Sequence, residues 1–122
     1  MNFKREGAVG TLIDNSKAMF CGGVGADVGG EGSSECYFLH QNGSWSLASP
    51  MIMPRIYPAL SKLDQGFLVV GGSPNDDSIE FFNGQEWELL DAKLPVGLYA
   101  LCMARLYSKL NTIVALQFLL FF

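Results

Sequence analysis

Three cysteines, a single histidine and three glycine pairs are the residues of this 122-residue chain whose types invite chemistry. Cys21 stands directly before Gly22-Gly23, and Cys36 opens the next apolar run. The two could face one another across a hairpin and form a disulfide if their Cα atoms lie about 5.5 Å apart. Three buried thiols, Cys102 among them, are the equal alternative, since small buried cysteines are common. His40 precedes Gln41-Asn42-Gly43, and a triad or zinc site needs further groups at fixed spacing, so a turn-flanking, solvent-facing imidazole is expected. Gly22-Gly23-Val24-Gly25 and Gly29-Gly30-Glu31-Gly32 suggest a phosphate loop, but no Lys-Ser/Thr follows either, and they read as a flexible connection. The acidic residues at Asp76-Asp77 and from Glu86 to Asp91 lack the spacing of a calcium loop. No catalytic residue, cofactor or metal site is expected.

The composition sets the frame in which these residues must be held. Nearly half the residues are apolar and only 16% are charged, which argues for a packed core rather than disorder. Eight basic against twelve acidic residues leave a net charge of −4, a poor match to nucleic acid. Fourteen glycines point to many tight turns between short strands. The first residues, Met1 to Gly7, lack the apolar core of a secretory signal. The apolar run from Leu110 to Phe122 is shorter than the ~20 residues a spanning helix needs. A buried strand or an aberrant end to a truncated chain is expected there, and no membrane contact. The compartment stays open: cytoplasmic with free thiols, or extracellular if Cys21 and Cys36 are bridged.

The chain repeats itself. Lys17 to Gly23 ends in a glycine pair, and so does Gly66 to Gly72. After the first pair come Glu35-Cys36-Tyr37-Phe38-Leu39 and then Asn42-Gly43-Ser44-Trp45. After the second come Ser78-Ile79-Glu80-Phe81-Phe82 and then Asn83-Gly84-Gln85-Glu86-Trp87. Arg5 to Leu12 precedes the first pair as Met53 to Leu60 precedes the second, and this sets Arg5 and Arg55 at one repeat position. Apolar and aromatic runs bounded by glycine and Asn-Gly turns predict antiparallel strands. The tryptophans are large enough to fill the gap between two stacked sheets. A third copy begins at Leu94 to Leu101 and continues at Asn111 to Leu116, with no glycine pair after it.

This pattern resembles the kelch repeat, an apolar run ending in Gly-Gly followed by a spaced aromatic residue and Trp. The signature positions are Gly22, Gly23 and Trp45 in the first copy, and Gly71, Gly72, Phe81 and Trp87 in the second. The resemblance covers about residues 5 to 116 and implies an all-β fold: an incomplete kelch-type β-propeller of two four-stranded antiparallel blades and the start of a third. Blade 1 is expected over 5–49, blade 2 over 50–91, an incomplete blade 3 over 92–116, and an apolar tail over 117–122. Secreted invertebrate kelch proteins carry a similar "CGG…CY" pattern, which favours a Cys21–Cys36 bridge by resemblance. The repeated arginine is expected to serve the blade through backbone carbonyls. A partner-binding role for Arg55 is the alternative, because strand-entry residues of propellers lie near a binding face.

An open blade face that leaves roughly 400 Å² of apolar surface wet forfeits on the order of 10 kcal/mol, which rivals the stability of a whole domain. Self-association through such faces is therefore expected. The functional expectation is a non-catalytic protein–protein interaction module of the kelch type, a fragment of a larger propeller, with a protein partner. The alternatives are a fragment of a galactose-oxidase-like or sialidase-like propeller enzyme, or a truncated product without independent function. The oxidase reading fails on histidine: that family's copper site uses a pair, and this chain has one.

Overall fold

The computed structural model describes residues 4–97 and the two short segments 102–104 and 115–117. These form antiparallel sheets, with no helix among the described residues. The first sheet is a meander of β1 (Glu6–Asp14), β2 (Lys17–Val24), β3 (Cys36–His40) and β4 (Trp45–Ala48), each strand paired with the next. A short strand, β5 (Arg55–Ile56), leads into the second meander: β6 (Ala59–Leu63), β7 (Gly66–Val70), β9 (Ser78–Phe82) and β10 (Trp87–Lys93). Between β7 and β9, β8 (Ser73–Pro74) pairs back with β5. Lastly, β11 (Cys102–Ala104) pairs with β12 (Ala115–Gln117).

The two meanders correspond residue by residue. Val9 pairs with Cys21 as Ala59 pairs with Val70. The Gly22 amide donates to Glu35 O at 3.0 Å, and the Gly71 amide donates to Ser78 O at 2.9 Å. Leu39 pairs with Trp45 as Phe82 pairs with Trp87. The four glycines of the two repeat pairs, Gly22, Gly23, Gly71 and Gly72, have positive φ, from 68° to 89°, a conformation that costs other residues strain. A Cβ on Gly22 would also meet the Arg55 carbonyl at 2.5 Å. The pairs are thus turn-and-approach devices: Gly22 lies against the Arg55 carbonyl of the next repeat, and a Cβ on Gly72 would meet the Ile56 carbonyl at 3.0 Å within its own repeat.

Alternation along the strands gives each sheet two faces. Met19, Cys21, Cys36 and Ala48 of the first sheet pack on Leu60, Phe67, Val69, Phe82 and Trp87 of the second, with Met51 of the crossing segment between them. A ring row runs across the second sheet: Phe67 and Phe82 lie 6.2 Å apart, and Phe82 and Trp87 lie 5.0 Å apart. The Trp87 indole N–H donates to Ser49 O at 3.0 Å, which fixes the crossing segment to this row. On the far side of the second sheet, Val70 and Leu94 form a smaller cluster with Leu68 and Ile79.

Three expectations change. Trp45 is 37% exposed and does not fill the gap between the sheets, because it lies on the face of the first sheet turned away from the second. Phe81 is not the aromatic partner of Trp87; Phe82 is, and Phe81 points to the other face. Phe81 and Trp87 are six apart, as are Leu39 and Trp45, but this spacing misleads because the second connection is one residue shorter: residues 83–86 separate Phe82 from its partner Trp87, whereas residues 40–44 separate Leu39 from Trp45. The last strand of the second sheet runs to Lys93, beyond the expected boundary at 91, across an irregularity between Leu89 and Lys93. The rest of the third copy, and the tail apart from Gln117, lie outside the described residues.

Cys21 and Cys36 form a disulfide between directly paired positions of β2 and β3, with their Cα atoms 4.1 Å apart. Their counterparts in the second sheet are Val70 and Ile79, likewise a direct pair. The bridge spans a sequence separation of 15 and closes the glycine-rich connection. Closing a loop of that length stabilises by about 3 kcal/mol on the chain-entropy view. Cys21→Val with Cys36→Ile should therefore keep the far-ultraviolet circular dichroism of the parent and lose about 3 kcal/mol in urea denaturation. The corresponding serine pair should lose more, because it places hydroxyls in the core.

Candidate interaction surface

The face of the first sheet turned away from the second is built from alternate residues of its four strands. Gly10 and Leu12 of β1 lie beside Phe20 and Ala18 of β2, which lie beside Tyr37 and Leu39 of β3, then Leu47 and Trp45 of β4. Leu12 is 70% exposed and Leu47 69%. Phe20 and Trp45 pack against each other, ring centres 5.5 Å apart. A shallow cavity lined by Gly10, Thr11, Leu12, Ala18 and Phe20 adjoins a second, bounded by Leu12, Ala18, Leu39 and the two hairpin turns. Single exposed apolar residues need no explanation, but a contiguous apolar face on one sheet is a candidate docking surface.

The equivalent face of the second sheet carries Leu60, Val69, Phe82 and Trp87, and the first sheet covers it. Trp45 and Trp87 thus hold one repeat position in two environments. Trp87 is only 5% exposed because a sheet lies over it.

Arg55 is not on this surface or on any other. Its side chain is fully buried. Nε and Nη2 donate to Glu80 Oε2 at 3.1 and 2.8 Å, and Nη1 donates to the carbonyls of Gly71 at 2.6 Å and Ser78 at 3.1 Å. Glu80 in turn accepts the amides of Ile52 and Met53, at 2.5 and 3.2 Å. Burial pulls the guanidinium below its ordinary pKa, while the hydrogen bond and charge of Glu80 oppose that shift. The partner-binding alternative for Arg55 is corrected to the structural one, since no external group can reach it. Its counterpart Arg5, with a buried side chain, donates to Asp27 at 2.7 Å and to Glu35 at 2.8 Å, both more exposed carboxylates.

Sequence reasoning missed Glu80. The signal was there: in Ser78-Ile79-Glu80-Phe81-Phe82, alternation puts the carboxylate on the same face as Phe82, where a buried charge requires a partner. It also missed Leu12, Phe20 and Leu47, whose exposure depends on what lies over the sheet.

His40 is partly exposed, and its Nε2 lies 2.7 Å from Ser46 Oγ. Ser46 is on an exposed strand, and a pair of this kind needs an orienting group and oxyanion donors before it can act on a carbonyl. Among the described residues no three His, Cys, Asp or Glu side chains converge as a metal site.

The strand entries join the two sheets. The Tyr57 amide donates to Gly7 O at 2.8 Å, and the Tyr57 hydroxyl donates to Glu6 Oε1 at 2.6 Å. Gly7 and Tyr57 hold the same repeat position and both have positive φ, 72° and 56°. Tyr57 therefore carries backbone strain that Gly7 avoids. No protein-family model and no curated protein matches the chain.

The hydrogen bond to Glu6, then partial desolvation, raises the Tyr57 pKa above its ordinary value. A raised folded-state pKa means that this bond stabilises fully below about pH 10 and that its contribution is lost as pH rises through the folded-state value. In Glu6→Gln the Tyr57 titration, followed by absorbance at 295 nm with Tyr57→Phe as the assignment control, should move down toward the ordinary tyrosine value. An unmoved midpoint would remove the Glu6 contact as its cause.

Proposed function

We propose that this chain is a non-catalytic protein-interaction module of the kelch type, in which the two meanders are successive blades of a propeller. Its partner docks on the open face of the first sheet that carries Leu12, Phe20, Trp45 and Leu47. The docking element is a sheet like its own, supplied by a second copy of the chain. One observation carries this reading. The repeat-equivalent face of the second sheet is covered, and what covers it is the Met19, Cys21, Cys36 and Ala48 face of a sister sheet. The bare face keeps three of the five large residues, with Phe20 for Val69, Leu39 for Phe82 and Trp45 for Trp87, while Gly10 and Ala18 stand for Leu60 and Phe67. Burying the face is favourable at about 25 cal/mol per Å² of apolar area, less the cost of association.

Sedimentation equilibrium over a wide concentration range tests this. The full chain should self-associate reversibly. Leu12→Asp with Leu47→Asp should weaken association by more than about a hundredfold, since each buried leucine contributes about 1.5–3 kcal/mol. The thermal melt of the dilute protein should be unchanged, because neither side chain is in the core. Monomeric wild-type protein at every concentration, or association indifferent to the two substitutions, would contradict the proposal.

A further inference from the structure

The hairpin joining β3 and β4 carries Asn42-Gly43-Ser44, the one place in the sequence where Asn is followed two residues later by Ser or Thr. We propose that Asn42 is an acceptor for an N-linked glycan. The whole turn is exposed, from Gln41 through Ser44. Asn42 Oδ1 accepts both the Ser44 amide, at 2.9 Å, and the Ser44 hydroxyl, at 2.6 Å. That fixes the carboxamide oxygen toward the turn, and Asn42 Nδ2 has no hydrogen bond among the described residues. An acceptor asparagine needs this combination: an exposed amide nitrogen and a hydroxyl two residues on.

A second, independent observation is the disulfide between Cys21 and Cys36. Bridges persist in oxidising compartments, which are also where N-glycans are attached. The other repeat supplies a built-in control. Asn83 occupies the same turn, and its Oδ1 accepts the amides of Gln85 and Glu86 at 2.9 and 3.0 Å. Gln85 stands where the hydroxyl is required, so Asn83 is not an acceptor.

The reaction is transfer from a polyisoprenyl-diphosphate-linked oligosaccharide by a membrane transferase. A bond forms between Asn42 Nδ2 and the anomeric carbon, and the bond from that carbon to the diphosphate oxygen breaks. The lipid diphosphate leaves with the electron pair, and one Nδ2 proton passes to a base of the transferase. No oxidation or reduction is involved. The inference is independent of the kelch reading and of the docking face.

The test is expression of the full chain behind a cleavable secretion leader in eukaryotic cells. Intact mass is read before and after peptide N-glycosidase on secreted and retained protein together, so that a folding failure does not hide the result. The wild type should carry one glycan and lose it to the enzyme, with Asn42 converted to Asp. Asn42→Gln and Ser44→Ala should carry none, and Gln85→Ser should carry two. An unmodified wild-type chain, or a glycan that survives Ser44→Ala, would overturn the proposal.

Discussion

The ion pair between Arg55 and Glu80 is the constraint on which the stacking of the two sheets depends. Both side chains are completely buried, and two charges so placed are tolerated only when nearly every donor and acceptor is matched. Here the matching groups come from four parts of the chain: the end of β7 at Gly71, the start of β9 at Ser78, Glu80 itself, and the crossing amides of Ile52 and Met53. Glu80 holds the crossing segment through those amides, and the segment carries Met51 into the space between the sheets. Without the carboxylate, two amides would be left inside with no acceptor and a guanidinium with carbonyl acceptors but no counter-charge.

The first copy meets the same demands with different chemistry. Arg5 finds its carboxylates in Asp27 and Glu35, which are partly exposed and hold it less tightly in energetic terms. A disulfide stands where the second copy has a Val–Ile pair, and a glycine stands where the second has a strained tyrosine. The longer, glycine-rich connection of the first copy loses more chain entropy on folding, and the bridge offsets part of that loss. The first sheet also has the open apolar face, so the copy with the weaker arginine clasp bears both the covalent link and the uncovered face.

Much of this architecture was legible in the sequence, because the repeat is written in residues whose roles are steric. Glycine pairs mark positive-φ turns, Asn-Gly marks hairpins, and alternation assigns faces; all three survive loops of unequal length. What could not be read was anything set by neighbours. Trp45 and Trp87 share a position in the pattern, yet one is half open and the other sealed, since only the second has a sheet across it. Phe81 and Phe82 were exchanged because a one-residue difference in the turn shifts the spacing but not the strand pairing. Arg55 was placed at the correct repeat position, but its enclosure depends on Glu80 approaching from β9, a contact across 25 residues that no local spacing encodes.

A double-mutant cycle at Arg55 and Glu80, followed by urea denaturation, tests most directly whether this pair holds the sheets together. Arg55→Leu and Glu80→Leu should each cost about 3–5 kcal/mol, because each strands the other charge. The Leu/Leu double variant should lose much less than the sum of the two single losses, since it leaves no buried charge unpaired. Single losses below about 1 kcal/mol, or strictly additive ones, would mean that the stacking rests on the apolar core alone.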